Sequence, residues 1–202
     1  MGTPVVANIV YGPAVLWYAP VGEATPDETA VAVGADWGGN WERIGFTKTG
    51  VTALYEFERG EADVQELLTT PKRWKTAEKM SIEVAMAELI GDYLQLAVGS
   101  GTVSTTSAGA SQVAYEELSV GGQRVLDEWQ VGIEGTFRAS TGLAYPIRYF
   151  IHKMNIMVNG GFEFAKEGQP GIPIRADALG DPSKAVGNQL FTYQRVTAPA
   201  SS

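Results

Sequence analysis

Between residues 76 and 87 the side chains alternate. Met80, Ile82, Val84 and Met86 fall on one side, and Lys79, Ser81, Glu83 and Ala85 on the other. A repeat of two residues points successive side chains to opposite faces of a sheet, so this segment predicts a strand with one buried and one wet face. Ala, Glu and Met tolerate helix as well, but the period decides for strand. Residues 51–58 show the same pattern, with Val51, Ala53, Tyr55 and Phe57 against Thr52, Leu54 and Glu56. Between the two runs lie the mostly polar residues 59–75, which include Pro71, Lys72, Arg73 and Lys75. The whole reads as a long hairpin with a large mobile tip, and connections of about 17 residues tend to be functional or to order on binding.

The chain as a whole is punctuated in the same β-like manner by 24 Gly and 10 Pro. Residues 14–19 read as a first strand, closed by Pro20, and 21–40 as a loop without periodicity; 41–46 form a second short strand. Residues 88–98 switch period: Leu89, Tyr93, Leu96 and Ala97 share a helical stripe, Gly99 supplies the stop, and Gly91 costs about 1 kcal/mol relative to Ala. The Ser/Thr/Gly/Ala run at 100–111 is the most linker-like stretch, yet strands continue after it at 113–120, 126–137, 146–158, 162–166, 172–176 and 190–196. In 126–137, Trp129, Val131, Ile133 and Phe137 alternate with Glu128, Gln130, Glu134 and Thr136, one face buried and one wet. About nine strands and one helix make one mainly β domain over 1–202, with a loose tail at 197–202.

The residue inventory narrows the chemistry. There is no cysteine and one histidine, which removes disulfides, thiolate nucleophiles and clustered Cys or His metal sites. His152 lies in a strand rich in aromatic and branched residues, where a core-edge or interface role outweighs catalysis. The acidic groups Glu56, Glu58, Glu61 and Asp63, and Glu116 with Glu117, resemble a glycosidase pair only superficially; sequence neighbours on a strand point apart, so solvated carboxylates are the better reading. No calcium loop and no phosphate-cradling glycine motif occurs, so no cofactor is expected. Nor does any apolar run reach the roughly 18 residues a membrane helix needs. The first residues lack the basic region of a signal peptide, so synthesis in the cytoplasm is expected.

A formal charge of −8 argues against phosphate binding, which requires clustered cations. Lys72, Arg73 and Lys75, with Trp74 between them, admit three readings: a small single-strand nucleic-acid patch, an exposed tip without a partner, or a surface that pairs with the acidic stretch 56–66 of a neighbouring copy. The charge of the whole chain favours the last.

Several passages, in order, resemble the tail tube (major tail) proteins of long-tailed phages. These are the opening GPAVLWYAPVGEATP, the run NWERIGFTKTGVTALYEFERGEADVQE, the alternating strand leading into a helix in PKRWKTAEKMSIEVAMAELIGDYLQLAVG, and the closing FEFAKEGQPGIPIRADALGDPS. Together they span roughly half of the chain. The resemblance implies a two-sheet β-sandwich or barrel with one flanking α-helix and a long hairpin loop, a fold shared with the type VI secretion tube. It implies a non-enzymatic virion protein of the tail, in which six subunits form a ring, the inner sheets join into a continuous barrel, and rings stack.

Carried onto this chain, residues 1–13 are an N-terminal arm and 55–75 an inter-subunit loop. That loop presents Glu56, Glu58, Arg59, Glu61, Asp63, Lys72, Arg73, Trp74 and Lys75. The strands 79–87 and 126–136 become the lumen wall, with Lys79, Ser81, Glu83, Ala85, Glu128, Gln130 and Glu134 facing DNA that passes without specific binding. Partners implied are further copies of the chain and other tail proteins (tape measure, tail terminator and distal tail). Two other classes stay open on the residues alone. One is a monomeric binding or virion-decorating β-sandwich of the carbohydrate-binding type, with Trp17, Trp37 and Trp41 as an exposed platform. The other is an enzyme built on the acidic cluster.

Overall fold

Hydrophobic alternation becomes sheet through most of the chain, and every strand pairing among the described residues is antiparallel. The computed structural model describes residues 13–27, 31–138, 144–161 and 171–197, the side chains at 137 and 138 excepted. The expected strand at 162–166, the arm before residue 13 and the tail beyond residue 197 lie outside the described residues.

The strands are β1 (Val15–Pro20), β2 (Glu42–Arg43), β3 (Thr52–Ala62), β4 (Lys72–Met86), β5 (Thr102–Thr106), β6 (Tyr115–Ser119), β7 (Glu128–Arg138), β8 (Ala144–Val158), β9 (Ile172–Ala178) and β10 (Phe191–Arg195), with one helix, α1 (Gly91–Val98). The main sheet runs β2-β1-β7-β8-β9-β4-β3, with β10 also paired to β8, and β5 and β6 form a second, two-stranded sheet. The described residues are therefore mainly β, with two sheets and a single helix, as expected.

Met80, Ile82, Val84 and Met86 of β4 are all buried, together with Leu16, Val131, Ile133, Ile151, Met154, Ile156, Ile172 and Ile174 from the neighbouring strands. Each such side chain contributes about 1.5–3 kcal/mol when fully buried. The helix closes this core with Leu96 and Ala97.

Strand β8 carries the fold's branch point. On β7 the step from Trp129 to Val131 faces the longer step from Ile151 to Met154 on β8, which is a bulge at His152 and Lys153. Residues 154–158 of β8 pair with β9, and 147–151 pair with β10. At the bulge itself His152 N donates to Leu190 O and Leu179 N donates to Lys153 O, so the two lanes separate there. The His152 ring is buried, its Nε2 lying 3.3 Å from Asn188 Oδ1 and 3.2 Å from Thr192 Oγ1. It ties the 179–190 segment to the sheet.

Four expectations are corrected. The helix starts at Gly91 rather than 88, because Glu88 accepts a bond from Phe46 N and Ile90 is extended. Gly91 consequently stands at the first helical position, where its N–H donates to Glu116 Oε2 at 3.0 Å. Gly99 closes the helix in the left-handed region with φ 75°, as expected. The linker-like run 100–111 contains strand β5, whose Thr and Val pair with β6 and pack on α1. The strand expected at 41–46 shortens to Glu42–Arg43.

The fourth correction concerns the hairpin, which is strand almost throughout: β3 and β4 pair from Thr52↔Glu83 to Ala62↔Lys72. The connection is 63–71, not 59–75. Its strands outrun the hydrophobic pattern because cross-strand charge pairs and a tryptophan–glycine contact replace apolar alternation there.

Candidate assembly surfaces

The outer face of β1, β7 and β8 is covered by the segment read as a loop. Trp37 stacks on Trp17 at 5.0 Å and meets Trp41 edge-on at 5.0 Å, above Phe150. All four rings are buried. Gly132 of β7 makes the approach possible, since a Cβ there would overlap the Trp37 ring. Beneath the cover, Arg148 Nε and Nη2 both donate to Glu134 Oε1 at 3.0 and 2.9 Å, with the two side chains 0% and 2% exposed.

The cover is bonded directly to this pair. Gly34 N donates to Glu134 Oε2 at 3.0 Å, and Arg148 Nη2 donates to Val31 O at 2.9 Å. Gln130 accepts from Gly22 N at 3.3 Å, and Trp41 Nε1 donates to Ala24 O at 2.7 Å. Two corrections follow. Glu134 and Gln130 are buried anchors of the cover and line no open surface of the subunit. The three tryptophans are core, not the exposed platform that a carbohydrate-binding module requires.

The outer face of β3, β4, β9 and the second half of β8 is open. Sheet register aligns Leu54, Ser81, Asp177 and Asn155 in one row, and Thr52, Glu83, Arg175 and Met157 in the next. Glu56 opposes Lys79, and Lys153 Nζ reaches Glu128 Oε2 at 2.7 Å. Arg175 donates to Asp177 at 2.9 Å and lies 3.3 Å from Glu83 Oε1. The bond to Asp177 pushes the guanidinium further above its already high range. Of the expected wall residues, Lys79, Glu83, Ala85 and Glu128 reach this face open or half-open, and Ser81 lies in its floor, buried. Arg175, Asp177, Asn155 and Lys153 belong to the same face and were missed, although alternation in IPIRAD already places Arg175 and Asp177 together. The face carries Glu56, Glu83, Asp177 and Glu128 against Lys79, Arg175 and Lys153.

The β3–β4 hairpin projects beyond β9 as an arm with both faces in solvent. Among the described residues strand β3 pairs only with β4, which leaves its outer edge unpaired there. Leu54, Tyr55, Phe57 and Trp74 are exposed along the arm. The Trp74 ring lies across Gly60, where a Cβ would meet it at 2.7 Å. The expected inter-subunit charges are largely matched within the arm. Arg73 Nε sits 2.7 Å from Glu61 Oε1, Arg59 Nε lies 3.7 Å from the same oxygen, and Lys79 lies 3.5 Å from Glu58.

Lys75 donates to Glu78 at 2.8 Å and to Tyr55 Oη at 2.9 Å, and stands 5.2 Å from the Phe57 ring centroid. The Glu78 bond, then the Tyr55 bond, push the Lys75 ammonium up to about 12, and Lys75 holds the Glu78 carboxyl below its ordinary range. Within one chain, Arg73 and Lys75 of the expected inter-subunit set already meet carboxylates of their own hairpin. Cross-strand geometry brings Arg73 to Glu61 and Lys79 to Glu58, and Lys75 meets Glu78 along its own strand. Glu56, Asp63 and Lys72 remain exposed on the arm.

At the tip, Leu67 N donates to Val64 O in a turn that presents Leu67 and Leu68 to solvent; Leu68 is fully exposed. Neither residue was singled out in the sequence, where LL inside a polar stretch carries no period. At the arm's base, a cleft of about 840 Å³ separates β4 from β10 and the 179–190 segment. Among the described residues no group of acidic or histidine side chains is arranged to hold a metal ion, and no helix is long and apolar enough to cross a membrane. A family model described as phage tail tube protein matches residues 2–195. No curated protein matches the chain.

Proposed function

Because the chain belongs to the phage tail tube protein family, a structural component of the virion tail, we propose that it is the repeating subunit of stacked, six-fold rings through which DNA is delivered. The observation that carries this reading is the β3–β4 arm: an eleven-residue edge strand, wet on both faces, with its outer backbone edge unpaired among the described residues and aromatic side chains along it. An edge of this kind is adhesive, and a monomer gains nothing from keeping it open. A head-to-tail contact between copies satisfies every edge once the ring closes, and stacking extends the assembly along its axis.

In this assembly the open face of β3, β4, β9 and β8 lines the bore, with Lys79, Ser81, Glu83, Ala85 and Glu128 of the expected wall joined by Lys153, Arg175 and Asp177. Carboxylates and cations alternate there, and ion pairs such as Lys153–Glu128 and Arg175–Asp177 consume the cations locally. The face therefore offers DNA no run of free cations to bind, and like charge acts within a Debye length of about 8 Å. Tape measure, tail terminator and distal tail proteins are the partners this position in the tail implies.

Two measurements test the reading. Negative-stain microscopy of concentrated purified protein shows rings or tubes; discrete globules at every concentration overturn it. A Glu83→Lys, Glu128→Lys, Asp177→Lys variant leaves tubes assembled and slows DNA ejection, and unchanged ejection removes the bore assignment.

A further inference from the structure

The cleft at the base of the arm and the turn at its tip are both unfilled, and they match. The cleft is walled by Tyr55, Ala77, Ala178, Val186, Leu190 and Phe191, with Lys75, Glu78 and Gln189 at its rim. It exists because β8 branches at the bulge: β9 ends at Ala178, and the next strand begins only at Phe191, so among the described residues the part of β4 before Ser81 has no paired strand on that side. The tip offers Leu67 and Leu68 on a tight turn, flanked by Asp63 and Glu66, with no Lys or Arg between Ala62 and Pro71. The 179–190 wall carries an exposed cation, Lys184.

The tip cannot reach its own cleft. Paired strand separates Ala62 from Tyr55, a span of about 24 Å at roughly 3.4 Å per residue, and folding back would break the β3–β4 ladder. We infer that Leu67 and Leu68 of one copy seat in the cleft between β4 and β10 of another, with Asp63 and Glu66 beside that copy's Lys184. The inference rests on the self-assembly reading above and names the receiving surface. It is a heterologous contact, knob on one copy and socket on the next, so it propagates instead of stopping at a dimer. The offset between knob and socket along the arm sets the displacement between the copies it joins.

The chain has no cysteine, which makes the test clean. A Leu68→Cys, Val186→Cys double variant changes two exposed residues and is oxidised after assembly. A single variant links at most two chains, whereas the double variant gives a ladder of trimers and larger species on a non-reducing gel, absent from the dilute subunit. In parallel, Leu67→Asp with Leu68→Asp raises the concentration needed for assembly at least tenfold while leaving the thermal melting of the dilute subunit unchanged. Assembled particles without a ladder, or Asp variants that assemble at the wild-type concentration, overturn this contact and leave the function reading standing. A wild-type chain that never assembles overturns both.

Discussion

The same two pieces of chemistry occur twice in this molecule, once covered and once bare. Under the 21–41 segment, Trp37 lies on Gly132 and Arg148 pairs with Glu134. On the arm, Trp74 lies on Gly60 and Arg73 pairs with Glu61. In both places a glycine lets an indole lie flat on the sheet and a cross-strand ion pair stands nearby. The first set is sealed by the chain's own cover, whose backbone supplies Gly34 N and Val31 O to finish the pair's hydrogen bonds. The second set faces water on both sides. The difference teaches that local sheet chemistry is neutral about burial, and that what lies over a face decides whether a pair is a structural pin or a surface feature.

The comparison is most sharply tested at the two ion pairs. Arg148→Ala leaves Glu134 buried without its cation and is expected to cost about 3–5 kcal/mol in urea denaturation. Arg73→Ala, on an exposed pair, costs under about 1 kcal/mol. Equal losses would mean that the cover does not isolate its pair from water.

The glycines give the next largest contrast. Gly132→Ala forces the Trp37 ring away from a packed stack, an overpacking cost of about 1–3 kcal/mol. Gly60→Ala meets the edge of an exposed indole that is free to swing aside, and stays within about 0.5 kcal/mol. A Gly60→Ala penalty as large as that of Gly132→Ala would show that Trp74 is pinned in the isolated subunit.

The smallest effect is acid sensitivity of the arm. Lys75 holds Glu78 below its ordinary range, so that carboxyl contributes stability above the unfolded value of about 4.3, and the contribution is lost as pH falls through the depressed folded value. Lys75, raised to about 12, keeps its part of the bond until pH climbs that far. Amide exchange at 75–79, corrected for intrinsic rates, therefore speeds up modestly between pH 5 and pH 3 (roughly the window around the ordinary carboxylate value). Exchange at 81–86 stays slow, and an equal response in both segments would dissolve the distinction between arm and core.

Much of the architecture was legible from alternation: Met80 to Met86, Val131 and Ile133 point inward as their period says, and Gly99 ends the helix. The family resemblance was legible in the order of short motifs. Less of the candidate surface was. Glu134 and Gln130 read as wet because they alternate with core residues, but alternation reports only which side a residue takes, and their side is covered by a segment whose contacts come from 100 and 108 residues away in sequence. Leu67 and Leu68 left no trace, since a pair of leucines in a turn has no period. The charges at 59–75 looked like a loop because polarity on both faces also describes a two-stranded ribbon in water.

The amino-acid order alone determined the core strands with clear alternation, the helix stop, the lack of thiol and clustered-histidine chemistry, and the side of the sheet each core residue takes, because all of these are set by neighbours a few residues apart or by composition. Tertiary structure alone decided which second face is sealed, where β8 branches, and that the cations at 73–79 meet carboxylates of their own hairpin. Those outcomes depend on contacts between distant segments, whose free energy is fixed by what covers what.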